Sequence, residues 1–195
     1  MRLPALAFLL LAQTATASAQ PPRPAPRVII ETDAGGIEVE IDAAAAPRTA
    51  ENFLRYVDDR FYDGTSFYRV VTPDNQPDNL VKIEVIQGGA DGTRATRDPI
   101  AIERTSLTGL KHLDGTISMA RNGPDTATSE FFICIGAQPE LDFGGRRNPD
   151  GQGFAAFGRV VSGMDVVRKI QRSAVSAQRL TPPVAIASIR RQPAH

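Results

Sequence analysis

The chain is short of the residues that most enzyme chemistry uses. Its 195 residues include one cysteine, two histidines and no tryptophan. A lone cysteine, Cys134, excludes an internal disulfide, and no His or Cys lies near it in sequence to support nucleophilic or redox work. It sits in the apolar run Phe131-Phe-Ile-Cys-Ile135, which predicts a buried, inert thiol. The histidines offer as little. His195 is the last residue, and His112 lies in the loop-like segment Gly109-Leu-Lys-His-Leu-Asp-Gly115. No metal-ligand spacing is present, so neither a metal nor any other cofactor is predicted.

Charge of one sign is also lacking. The 22 basic and 22 acidic residues cancel, and only three of the cations are lysines. A balanced chain argues against nucleic acid or an anionic membrane as partner, since both favour a basic excess. No apolar run reaches the ~20 residues that a membrane-spanning helix needs. The stretch Leu3 to Ala12 is preceded by Arg2 and followed by the small residues Ala17-Ser18-Ala19. Together these read as a signal peptide over residues 1–19, cleaved before Gln20. Cleavage would leave 21 basic and 22 acidic residues. The mature protein is expected in a periplasm, with no membrane insertion after cleavage.

What is present is a single domain's worth of alternating apolar segments. Gln20 to Pro26 is a proline-rich linker, and the domain is expected over residues 27–192. Val28 to Thr32 and Ile37 to Ile41, joined by Asp33-Ala-Gly-Gly36, have a hairpin's pattern. A helix follows, opened by Pro47, with Ala50, Phe53, Leu54 and Val57 on one face. Ser66 to Val71 reads as a strand carrying Phe67, Arg69 and Val71 on the same side. Thr72 to Ile83 is a loop insertion, Glu84 to Gln87 a return to extended structure, and Ala90 to Asp114 a long irregular stretch. Thr116 to Ala120 and Phe131 to Ile135 are two short strands joined by a turn-rich segment, and a Gly-rich loop spans Phe143 to Gly153. Ala156 to Val161 is a further strand, Gly163 to Gln171 a second helix, and Val184 to Ile189 a closing strand. Many short strands with two helices predict a mainly β domain, a closed antiparallel barrel capped at its ends.

One segment is more informative than the rest. Gly115-Thr-Ile-Ser-Met-Ala-Arg-Asn-Gly-Pro-Asp-Thr-Ala-Thr-Ser-Glu-Phe-Phe-Ile-Cys134 holds no nucleophile, metal site or phosphate loop. It resembles the central segment of the cyclophilin-type peptidyl-prolyl isomerases. Glu51-Asn-Phe53, Phe67-Tyr-Arg-Val-Val71, Ile86-Gln-Gly-Gly89 and Phe157-Gly-Arg-Val160 follow the same family in the same order. The resemblance covers Val28 to Ile189. It implies an eight-stranded barrel with a helix at each open end, prolyl isomerase activity on proline-containing polypeptides, and a monomer.

Carried over residue by residue, Arg69 matches the family's catalytic arginine and Gln87 the glutamine that binds substrate backbone. Phe132, Leu141 and Val85 match the proline-ring pocket, with Val85 in place of a methionine. Ala120 and Asn122 lie where peptide pairs with a strand edge, and Arg121 replaces a common asparagine there. The chain departs from the pattern at several points. Tyr68 replaces a histidine, Glu130 a glutamine, Phe154 a histidine or tyrosine, and Glu140 a large aromatic. Glu84 falls at a pocket phenylalanine, in an alignment that the insertion can shift by one residue. Alternation puts Glu130 on the face of Phe132, where its carboxylate would either orient Arg69 or block it. Two readings of the glutamates stay open. They form an acidic rim that lowers activity and favours basic residues near proline, or Glu84 and Glu140 are ordinary solvated charges. Three functions follow: an isomerase assisting the folding of exported proteins, a non-catalytic module holding proline-containing segments, or a structural scaffold.

Overall fold

The structure is a computed structural model, and residues 25–193 are described. The signal-peptide expectation and most of the linker lie outside these residues. The element order is β1 (Arg27–Thr32), β2 (Gly35–Ile41), α1 (Pro47–Asp58), β3 (Thr65–Val71), β4 (Val85–Gly89), α2 (Thr105–Thr108), β5 (Thr116–Met119), β6 (Phe131–Cys134), β7 (Ala155–Ser162), α3 (Met164–Gln171), β8 (Val175–Ser176) and β9 (Arg179–Arg191). The strands pair antiparallel in the order β1-β2-β7-β5-β6-β4-β3-β9, and β9 pairs back onto β1. Eight strands therefore close a barrel, as expected, and β8 is a two-residue arm of a hairpin on β9. Among the described residues the α-helices number three, because the irregular stretch contains the short α2.

The barrel fills with the inward members of each alternating strand. Val28, Ile30, Ile37, Val39 and Ile41 from the first hairpin are fully buried, with Ile117, Phe131 and Phe157 from the far wall. Helix α1 begins at Pro47, whose missing N–H costs nothing in the first turn. No side chain of its own caps it. Glu103, from the irregular stretch, accepts from the backbone N–H groups of Arg48 (3.2 Å) and Thr49 (2.7 Å). A carboxylate suits the helix's positive end, and it ties a segment without strands to the domain. Phe53 sits edge-on to Phe131 with ring centroids 5.6 Å apart, so α1 plugs one barrel mouth. Helix α3 buries Val167 and Ile170, with Met164 packed alongside.

Candidate active site

Two of the helix-side polar groups set the position of the segment leading into β6. Asn52 on α1 donates its Nδ2 to the carbonyl of Thr128 at 2.6 Å, and Tyr62 donates its hydroxyl to the carbonyl of Ser129 at 2.7 Å. Both donors are buried. The groove on the barrel's outer face starts from this fixed segment.

Strand β3 supplies the groove's cation through an irregularity. Its register against both β4 and β9 shifts between Phe67 and Arg69. The bulge changes the phase of the strand, so Phe67 and Val70 enter the barrel core while Val71 joins the groove's apolar cluster and Arg69 lines the groove. The expectation that Phe67, Arg69 and Val71 share a face therefore fails for Phe67. Strict alternation was assumed, and an inserted residue sends every later side chain to the opposite face.

Neighbouring strands then place a row of groups side by side. Arg69 pairs across with Gln87 on β4, Gln87 with Phe132 on β6, and Phe132 with Ser118 on β5. Val71, Ile83, Val85, Phe132, Cys134 and Leu141 form one apolar cluster, with Ala120 and Phe154 against it. Phe154 meets Phe132 edge-on, 5.3 Å between centroids. The resulting groove has a volume of about 570 Å³. Arg69, Gln87, Val85, Ala120, Arg121, Asn122, Glu130, Phe132, Leu141 and Phe154 all line it, so the structure brings together the residues matched to the family's catalytic and substrate-binding positions. Cys134 lies fully buried behind the cup, where desolvation pushes its thiol well above the usual value.

The polar wall is a directed chain of hydrogen bonds. Arg69 Nη1 donates to Gln87 Oε1 (2.8 Å), Gln87 Nε2 to the Tyr68 hydroxyl (2.7 Å), and that hydroxyl to Glu130 Oε2 (2.8 Å). A cation stands at one end and a carboxylate at the other, so each dipole between them is aligned. Glu130 therefore neither pairs with Arg69 nor blocks it; two side chains separate them. Its other oxygen accepts from the backbone N–H groups of Ala90 (2.9 Å) and Asp91 (3.2 Å). Burial raises the Glu130 pKa above the usual carboxylate value, although these donors oppose the shift. Burial and the Glu130 charge push the Tyr68 phenol far up, so it stays a donor.

Behind Arg69, the β8–β9 hairpin contributes Gln178. Its Oε1 accepts from Arg69 Nε (2.9 Å) and Nη2 (2.7 Å), while its Nε2 donates to the carbonyl of Asn75 (3.0 Å). Two amide oxygens thus hold the guanidinium from opposite sides and take three of its five N–H groups. No carboxylate pairs with Arg69 among the described residues, and desolvation lowers its pKa. Gln178 was not singled out in the sequence. It lies 109 residues from Arg69 in an unremarked turn, and only the fold connects them.

The other glutamates stand elsewhere. Glu84 accepts from Gln171 of α3 at 2.8 Å, outside the groove, and Ile83 fills the apolar place instead. The insertion shifted the correspondence by one residue, which in extended backbone reverses the side chain's direction. Glu140 pairs with Arg146 at 2.9 Å, and the side-chain and backbone bonds from Arg146 hold its pKa below the usual value. An acidic rim of three glutamates is not formed; of the three, only Glu130 lines the groove. Arg121 is likewise committed, with its fork on Asp150 (both bonds 2.8 Å) and its Nε donating to the carbonyl of Gly153 (2.8 Å).

His112 has a role that its loop-like sequence hid. It is fully buried and stacks beneath Phe132, with ring centroids 6.0 Å apart and planes 16° from parallel. Its Nδ1 meets Asp142 Oδ1 at 2.8 Å and its Nε2 meets Ser118 Oγ at 3.0 Å. The triad is a support for the pocket floor. Although burial pushes the Asp142 carboxyl up, bonds from the His112 ring and backbone hold it below the usual range.

The description that fits this architecture is also the one the sequence matches. Residues 27–191 match the model of the cyclophilin type peptidyl-prolyl cis-trans isomerase/CLD family. The chain belongs to the cyclophilins. Over 150 residues, 74% of this chain, it is 41% identical to peptidyl-prolyl cis-trans isomerase A of Dickeya dadantii, of which 70% is covered. It is 37% identical over 149 residues to peptidyl-prolyl cis-trans isomerase B of Escherichia coli, covering 74% of this chain and 83% of that one. A cyclophilin type isomerase of Cryptosporidium parvum superposes with a TM-score of 0.71 at 20% identity, covering 88% of this chain and 99% of the other. That likeness establishes the barrel. The same parasite protein has also been solved in the presence of the dipeptide Ala-Pro. Family and sequence relatives together make this chain a cyclophilin of the peptidyl-prolyl isomerase class.

Proposed function

We propose that this cyclophilin catalyses Xaa-Pro isomerisation by holding the proline ring in the apolar cup and donating from Arg69 to the prolyl nitrogen. The barrier of ~20 kcal/mol comes from amide resonance, and a twisted amide has lost it. Its nitrogen is then pyramidal and carries a lone pair, which a guanidinium N–H can meet without transferring a proton. An interaction made only in that geometry lowers the barrier. Ile83, Val85, Phe132 and Leu141 hold the pyrrolidine, and Gln87, Ala120 and Asn122 flank the backbone. The observation that carries this reading is the placement of Arg69, fixed between Gln87 and Gln178 beside the cup. Two of its N–H groups stay uncommitted among the described residues.

We take the clients to be exported, proline-containing polypeptides, because residues 1–19 have a signal peptide's pattern. The groove is complete within one chain, which supports action as a monomer. The non-catalytic alternative leaned on Glu130 neutralising Arg69, and no such pair supports it. The test is cis–trans exchange of an Xaa-Pro peptide by NMR, with the mature protein and with Arg69→Ala. Loss of one preorganised donor predicts a ~10²–10³-fold fall in kcat. Binding without acceleration by the unmutated protein would reject catalysis in favour of a holding module.

A further inference from the structure

The groove contains three arginines, and one of them has no assigned task. Arg69 is held by two glutamines, and Arg121 has its fork filled by Asp150. Arg147, in the Gly-rich loop before β7, lines the same groove and makes no salt bridge among the described residues. Its Nη1 donates to the carbonyl of Val81 at 2.6 Å, and its backbone N–H donates to the carbonyl of Glu140 at 3.2 Å. Those two anchors are informative about position. Val81 stands two residues from Ile83, and Glu140 directly precedes Leu141, so Arg147 spans the rim between two walls of the proline cup. Four of its five N–H groups are uncommitted there.

The acidic groups lining the groove do not answer it. Asp91 pairs with Arg179, and the Glu130 carboxylate is taken by Tyr68 and by two backbone N–H groups. Burial and the nearby Arg69 charge both lower the Arg147 pKa, which sets the two guanidiniums in one electrostatic neighbourhood. This end of the groove therefore carries two cations without a carboxylate partner, although the whole chain is neutral.

Building on the isomerase reading, we propose that Arg147 forms an anion subsite selecting peptides with a carboxylate side chain next to the proline. Consecutive Cα atoms are only ~3.8 Å apart, so with the ring in the cup a neighbouring Glu or Asp reaches the rim. A guanidinium with free N–H groups can take that carboxylate in a two-pronged contact. The preference is opposite in sign to that of an acidic rim.

The test uses four peptides in two pairs, with Glu or Gln immediately before the proline or immediately after it, and the unmutated mature protein. One NMR titration gives Kd from shifts and turnover from cis–trans exchange. In at least one pair, Glu should bind about fivefold tighter than Gln, as expected of a partly exposed charge pair, and 0.5 M salt should remove most of the gap. Arg147→Gln should bring the Glu/Gln ratio close to one, and Arg147→Glu should turn it below one. Equal Kd for Glu and Gln in both pairs would overturn the subsite, as would a Glu preference that survives Arg147→Gln. Because Kd is read separately, a protein that binds Glu peptides selectively but accelerates none would sink the isomerase reading and leave the subsite standing.

Discussion

Gln178 makes a sharp test of how Arg69, the proposed catalytic cation, is positioned. Replacing it with alanine removes one oxygen that accepts two Arg69 N–H groups at 2.9 and 2.7 Å. It leaves the backbone carbonyl of residue 178, which accepts from Val70 N at 2.8 Å, so the hairpin stays docked on β3. Bonds to a charged group contribute about 1.5–3 kcal/mol when their loss strands a buried partner. Here a cavity of about 250 Å³, lined by Arg69, Gln178 and the hairpin, borders the site. Water can enter and take over the freed N–H groups, so the stability cost should shrink to ~1 kcal/mol. The effect on turnover is larger. With Gln87 as its only remaining side-chain tether, the guanidinium can swing, and a displacement of ~1 Å is worth about 10²-fold. Gln178→Ala should therefore lower kcat ~10- to 100-fold in NMR exchange while peptide Kd moves by less than about threefold. An unchanged kcat, or kcat and Kd that worsen together, would refute the idea that this distant glutamine aims Arg69.

Two other perturbations address the groove's supports. Glu130 has a folded-state pKa above its unfolded value, so it contributes most below the unfolded pKa and costs stability as pH rises through the folded pKa. The stability of Glu130→Gln relative to the unmutated protein should accordingly rise with pH above the usual carboxylate range and then level off. Urea denaturation of both proteins from pH 4 to 8 would show it, and a pH-independent difference would contradict the burial argument. Asn52→Ala removes the bond to the part-buried carbonyl of Thr128, which should cost about 1 kcal/mol in thermal or urea unfolding. It should also weaken peptide binding, because Thr128 leads into Glu130 and Phe132.

The elements with local signals were readable in the sequence. Alternation gave the β1–β2 hairpin, the 3.6-residue period gave α1 and α3, and the family's contiguous motifs gave ten of the residues that line the groove. What was hidden depends on contacts between distant segments. The bulge in β3 is a register event between three strands, and nothing in Thr65-Ser-Phe-Tyr-Arg-Val-Val71 announces it. Glu84 and Ile83 exchanged places because an insertion of uncertain length precedes them. Gln178, Arg147 and His112 lie in turns and loops, whose side-chain directions are set by the parts they touch rather than by any period.

The closure of β9 onto β1 has a consequence for a protein whose proposed work is on extended chains. Such chains carry rows of free backbone donors and acceptors, and an open sheet would present them with a matching border on which to add a further strand. The eight barrel strands have no such border, since each has a partner on both sides. A client can be gripped along a short stretch at the groove and released without ever becoming part of the sheet. On the isomerase reading, the closed barrel offers its substrates no sheet edge on which to aggregate.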